Sequence, residues 1–167
     1  MDYRILMKED AEIYQKLRLE ALQTNPEAFG STYEREVHFT RKDIEHRIEP
    51  TVDKFVLGAF EKESLVATAR FVQEMDCKTS HKGYIYGMYV SPSYRGKGIG
   101  HELLKRVMEK AKLQDRLEQI TLTVVSDNFS AKMLYEKMGF KVFATEKNAL
   151  KVDDVYYDED WLVYFLN

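Results

Sequence analysis

The chain has 167 residues, enough for one domain with a real core. Its 44% hydrophobic and 32% charged residues suit a globular protein, and a formal net charge of -3 argues against wholesale binding to nucleic acid. The single cysteine, Cys77, excludes an intramolecular disulfide and a cysteine-based zinc site, and no apolar run approaches the roughly 20 residues that span a bilayer.

The start, Met1-Asp2-Tyr3-Arg4, lacks the apolar run of a signal peptide, so the expected setting is cytoplasmic, without a membrane partner. Tyr3 to Leu6 reads as a short strand. A helical stripe of Ile13, Leu17, Ala21 and Leu22 follows, and Asn25-Pro26 stops it. Pro26 to Thr40 reads as irregular. A second helix is expected from Thr40, with Asp43 completing a capping box. Phe55–Phe60 and Leu65–Val72 read as a hairpin around the polar turn Glu61-Lys62-Glu63-Ser64. Tyr84–Val90 is a strand interrupted by Gly87, a place for a bulge or a close backbone approach. A helix from about Ile99 to Leu113 carries Leu103, Leu104, Val107, Met108 and Ala111 on one face. Ile120–Val125 is a strand, and Ser130–Met138 is a short helix with Gly139 at its C′ position. Phe140–Ala144 and Trp161–Leu166 close the chain as strands. This order predicts an α/β (α+β) domain over 1–167 whose sheet is mostly antiparallel with one parallel crossover.

Between the third strand of that central group and its helix lies Tyr94-Arg95-Gly96-Lys97-Gly98-Ile99-Gly100-His101. Alternating glycines let the backbone approach a ligand, and the first N–H groups of the helix lack internal partners. A phosphate suits that place, with Arg95 and Lys97 adding charge and Lys105 and Arg106 further along. A tight strand–helix turn would use the same glycines. The dinucleotide fingerprint needs glycine where His101 stands, and the P-loop pattern needs Lys-Ser or Lys-Thr where His101-Glu102 stands.

Three segments carry a resemblance: Met88 to Leu104, Leu122 to Ala131, and Leu134-Tyr135-Glu136-Lys137-Met138-Gly139-Phe140. Together they resemble the GCN5-related N-acetyltransferase (GNAT) superfamily in order and spacing. Arg95, Gly98 and Gly100 match the family's loop pattern. Pro26-Glu27-Ala28-Phe29-Gly30-Ser31-Thr32 looks like the family's loop between its first two helices.

The resemblance implies a GNAT-like mixed sheet in which two splayed parallel strands, Tyr84–Val90 and Ile120–Val125, hold acetyl-CoA as cosubstrate, with no metal. It implies that the backbone of Met88, Tyr89 and Val90 binds the pantetheine arm. It implies that Gly96, Lys97, Gly98, Ile99, Gly100 and His101, with Arg95, hold the diphosphate. Asn128 would bond the arm from the other side or cap the helix, and Ser130 stands beside it as a cap. Tyr135 is either a general acid for the leaving thiolate or an aromatic on the buried helix face. The base is open among Glu34, Glu36, Tyr84 and Tyr86, directly or through water. Lys82 and His81 stand where some family members carry a glutamate.

The implied reaction is acetyl transfer to a primary amine, on a small molecule or a protein, by direct attack in a ternary complex. A CoA-binding module without turnover and a longer acyl donor are the alternatives, and a homodimer is common among relatives. His38, His46, His81 and His101 lack metal-ligand spacing. The charged runs Lys8-Glu9-Asp10 and Asp153-Asp154 to Asp158-Glu159-Asp160 read as solvated faces.

Overall fold

The computed structural model describes residues 1–166. Seven strands form one sheet in the order β1-β2-β3-β4-β5-β7-β6. They are β1 (Asp2–Ile5), β2 (Lys54–Glu61), β3 (Ser64–Gln73), β4 (Lys82–Val90), β5 (Gln119–Val125), β6 (Lys141–Val152) and β7 (Val155–Phe165). Every neighbouring pair is antiparallel except β4 and β5, which are parallel. Helix α4 (Ile99–Ala111) makes the crossover between those two, as a parallel connection requires.

Both faces of the sheet are covered, and β2 shows why. Its odd positions Phe55, Leu57 and Ala59 face one core, and its even positions Val56 and Phe60 face the other. Period-two alternation with apolar residues on both sides suits a strand buried on both faces. The first core takes Leu103, Leu104, Val107, Met108 and Ala111 of α4, with Tyr135 of α5 (Phe129–Lys137). The second takes Tyr14, Leu17 and Ala21 of α1 (Ala11–Thr24), with Ile44 and Ile48 of α3 (Arg41–Ile48).

Local signals place the helix ends. The Thr40 side chain accepts from the Asp43 N–H at 3.3 Å, and the Asp43 carboxylate accepts from the Thr40 N–H at 2.8 Å. This is the expected capping box. Helix α1 ends at Thr24 before Asn25-Pro26, as read. Within the stretch read as irregular, Tyr33–Glu36 forms one helical turn, α2, capped by Thr32.

Three expectations need correction. The closing strands are far longer than read: β6 and β7 form a hairpin of 12 and 11 residues. Most of β6 is exposed, so no apolar alternation announces it. The run Lys8-Glu9-Asp10 is not simply solvated. Asp10 is buried, takes both arms of Arg4 at 2.7 Å, and accepts from the Met7 N–H. Nor is Asp158-Glu159-Asp160 a solvated face: Asp160 is 5% exposed and binds Lys132, Thr145 and Ser126.

Candidate active site

β4 and β5 share hydrogen-bonded register only over Lys82–Tyr84 and Gln119–Thr121. Beyond Tyr84 they part. On its other side β4 stays on β3, but Arg70 pairs with Tyr86 and Thr68 pairs with Tyr89. Two β4 residues, Gly87 and Met88, therefore face one on β3, which is the expected bulge. Gly87 has φ +58, a conformation costly for a residue with a Cβ. The bulge turns β4 away from β5, so the far edge of Met88 to Val90 has no strand partner there.

The opening holds two connected lobes. The larger, about 570 Å³, is walled by Met88–Val90, by Gly96, Gly98, Ile99, Gly100 and His101, and by Asn128, Ser130 and Tyr135. The smaller, about 240 Å³, lies deeper between the strands and is faced by Tyr86, Thr123, Tyr135 and Glu159. The turn at Pro26–Ala28 reaches to β5 and β6 and closes the helical side, with Phe29 in both lobes.

The glycine loop has the shape its sequence implies. Gly96 and Gly98 take φ +73 and +78, and Gly98 is the N-cap of α4 in the left-handed conformation. A Cβ at either would meet nothing within 4 Å, so the space beside them is open. Several first-turn N–H groups of α4 point there at the positive end of the helix dipole. Arg95 is already engaged: its guanidinium donates to the Val90 carbonyl at 2.9 Å and to the Asn25 side chain at 2.8 Å. It ties the loop to β4 and to the end of α1. Lys97 lies over the Tyr94 ring and outside the lobe walls. Arg106 pairs with Glu102 at 2.6 Å, while Lys105 lies 3.9 Å from Glu109 with both side chains exposed.

Asn128, not Ser130, caps α5. Its Oδ1 accepts from the Ala131 N–H at 3.2 Å, while its Nδ2 has no protein partner among the described residues. Asn128 precedes the helix, where a cap must stand, and Ser130 already lies in the first turn. Tyr135 is an aromatic on the buried helix face that also walls the opening. It is 8% exposed and packs edge-on against Phe140, yet it lines both lobes with its hydroxyl 3.8 Å from Met88 Sδ. Burial pushes its phenol up to about 12.

The candidate bases separate clearly. Glu36 is 1% exposed and bound by Arg18 and Arg47 at 2.7–3.1 Å. Burial alone would raise its carboxyl, but bonds from Arg18, Ser31 and Arg47 outweigh that and hold it at about 2. A carboxylate so held cannot serve as a base near neutrality. Glu34 is exposed and faces neither lobe. Tyr84 and Tyr86 stack on each other at 5.8 Å. The residue overlooked in the sequence is Glu159 on β7. It faces the smaller lobe, and burial raises its pKa, with Glu146 raising it further and a hydrogen bond from Thr123 opposing. Its place in an acidic run hid it; pairing with Val125 across β5 and β7 sets its position.

The model of the acetyltransferase (GNAT) family matches residues 14–140. The chain belongs to that family. One relative is the SPbeta prophage-derived uncharacterized N-acetyltransferase YokL of Bacillus subtilis (strain 168), 26% identical over 93% of this chain and 84% of that protein. A GNAT-family acetyltransferase from Streptococcus pneumoniae superposes with a TM-score of 0.89 at 18% identity, covering 99% of each chain. The yncA protein of Salmonella typhimurium, solved with its cofactor acetyl-CoA, gives 0.79 at 19% identity, covering 100% of this chain and 94% of that one. At these identities the two structures bear on the fold alone.

Proposed function

We propose that this chain, as one domain over 1–167, transfers acetyl from acetyl-CoA to a primary amine within a ternary complex. The observation that carries the reading is the gap where β4 leaves β5, because one wall of that gap runs directly into the open glycine loop of α4. The protein groups fit an elongated anionic thioester. N–H groups from Gly96 to His101, Lys97 and Ile99 included, hold the diphosphate end. The unpaired edge of Met88, Tyr89 and Val90 pairs with the amides of the arm, and an N–H there polarises the thioester carbonyl. Asn128 Nδ2 supports the arm opposite. Arg95 shapes the loop, and Ser130 sits at its rim.

Glu159, through one water, takes the proton that the acceptor ammonium sheds before attack. Tyr135 donates to sulfur as the C–S bond breaks. A phenol near 12 stays protonated throughout neutral pH. Complete transfer to a thiolate of pKa ~8.5 would be uphill by roughly 5 kcal/mol. The hydrogen bond therefore carries its effect; the nitrogen sheds its second proton to solvent as the amide forms, and the departing thiolate takes one from solvent. Free, exposed Cys77 suits a reducing, cytoplasmic setting.

The test joins binding to turnover. Calorimetry with acetyl-CoA and desulfo-CoA reads the donor site, and thiol release with a panel of amines reads the reaction. Donor binding with amine-dependent release is expected. Donor binding with no release on a broad panel would make the chain a CoA-binding module, and absence of both would overturn the reading.

A further inference from the structure

A third pocket, about 290 Å³, lies on the α1 and α3 side of the sheet. It shares Arg18, Tyr86 and Gly87 with the lobe that holds Tyr135 and Glu159. Gly87 forms the sill between them. With no side chain there, the nearest group to an imagined Cβ is Arg18 Nη1 at 3.8 Å, so the passage is open.

The charge in this pocket does not balance. Four arginines, Arg18, Arg35, Arg47 and Arg70, stand with one carboxylate, Glu36. Glu36 is already engaged by Arg18 and Arg47. Arg70 projects from the middle of β3, opposite Tyr86 and Val56, and its Nε is buried with no hydrogen-bond partner. No carboxylate pairs with it among the described residues. Burial pulls its pKa down and Arg47 adds to the fall, while Tyr14, Tyr86 and Asp53 oppose it only in part. A desolvated guanidinium lacking an acceptor is costly, and its planar fork matches carboxylate or phosphate oxygens.

We propose that this pocket anchors the acceptor, and that the acceptor amine carries an anionic group, carboxylate or phosphate, bound by Arg70 with Arg35 beside it. The proposal rests on the acetyltransferase reading, because it places the amine in the smaller lobe and its anionic end across Gly87. It sets polycationic acceptors at a disadvantage, since four arginines would face them with one acid.

The test compares matched acceptors by thiol release: aminocarboxylic acids against their carboxamides, and O-phosphoethanolamine against ethanolamine. Wild type, Arg70→Met and Arg70→Lys are used, each checked by circular dichroism and by stabilisation with acetyl-CoA. The anionic member of a pair should win in kcat/KM by about ten- to hundredfold, the range of a charge-assisted hydrogen bond, chiefly through KM. Which pair shows the gap distinguishes carboxylate from phosphate. Arg70→Met should bring the ratio to within about twofold, and Arg70→Lys should restore part of it. Equal use of both members by the wild type, or a preference that survives Arg70→Met, overturns the proposal. If acetyl-CoA neither stabilises the protein nor releases thiol with any amine, the transferase reading fails separately. Calorimetry with the same pairs then decides the pocket: anion binding lost in Arg70→Met upholds it, and no anion binding overturns it.

Discussion

Glu36→Gln tests whether the buried cluster beside the site holds the helical layer together. Glu36 stands on α2 and receives Arg18 from α1 and Arg47 from α3, so one carboxylate joins three elements. Its carboxyl lies at about 2, against 4.5 for an unperturbed glutamate. That depression of about 2.5 pH units corresponds to roughly 3 kcal/mol of folding stability at neutral pH. Removing one partner of a buried ion pair costs about 3–5 kcal/mol. The arginine side chains are 13% and 23% exposed, so water relieves part of their loss and favours the lower end.

The pH dependence follows from the sign. The folded pKa lies below the unfolded one, so this stability is complete above about 4.5 and drains away as pH falls toward about 2. Urea unfolding of wild type and Glu36→Gln should differ by about 3 kcal/mol at pH 7 and by about 2 kcal/mol at pH 3.5. A difference under about 1 kcal/mol at pH 7, or one that grows on acidification, would refute the reasoning.

Gly98→Val should weaken donor binding by at least about tenfold in calorimetry while leaving the fold, because the space beside Gly98 is free of protein but φ +78 strains a β-branched residue by roughly 1–3 kcal/mol; undiminished affinity in the folded variant would move the donor elsewhere. Tyr135→Phe should lower kcat about a hundredfold with acetyl-CoA affinity unchanged, since the hydroxyl's one hydrogen-bond partner among the described residues is Met88 Sδ at a long 3.8 Å; its phenol near 12 should produce no alkaline loss of kcat below about pH 10. Glu159→Gln should reduce kcat/KM about a hundredfold at pH 7, and the deficit should shrink as pH approaches the ~10.4 of an alkyl amine, where the acceptor sheds its proton unaided; a deficit constant with pH would remove Glu159 from the base role.

What could be read from the chain alone depended on how local the signal was. The glycine loop and the Thr40–Asp43 box are complete within a few residues, and the bulge at Gly87 is marked by its own glycine although its partner strand is distant, so the one-dimensional order already carries these signals. The β6–β7 hairpin was largely invisible because its outer strand faces solvent and keeps no alternation. Asn128 and Ser130 were separable only once the first turn of α5 was placed. Glu159 and Glu36 exchanged roles for a related reason. One carboxylate lies in an acidic run and the other in a stretch of mixed charge, and only tertiary contact shows that Glu36 is saturated by arginine while Glu159 faces the lobe. Arg70 did leave a trace: it is the one charge inside Leu65–Val72, where only Thr68 is otherwise polar. Such an interruption in a strand buried on both faces demands a partner.

That demand links stability to specificity. Glu36 satisfies Arg18 and Arg47, which come from α1 and α3, and so fixes α1, α2 and α3 over β3 and β4. It cannot also satisfy Arg70, which comes from the sheet. A second acid at this place would quiet the pocket and firm the fold, and it would also fill the position left for the acceptor's charge. On this argument Arg70→Met, which removes a cation that no carboxylate pairs with among the described residues, should raise the melting temperature of the ligand-free protein while erasing the preference for anionic amines. A fall in melting temperature would mean that Arg70 has a protein partner after all, and that the pocket's charge is structural.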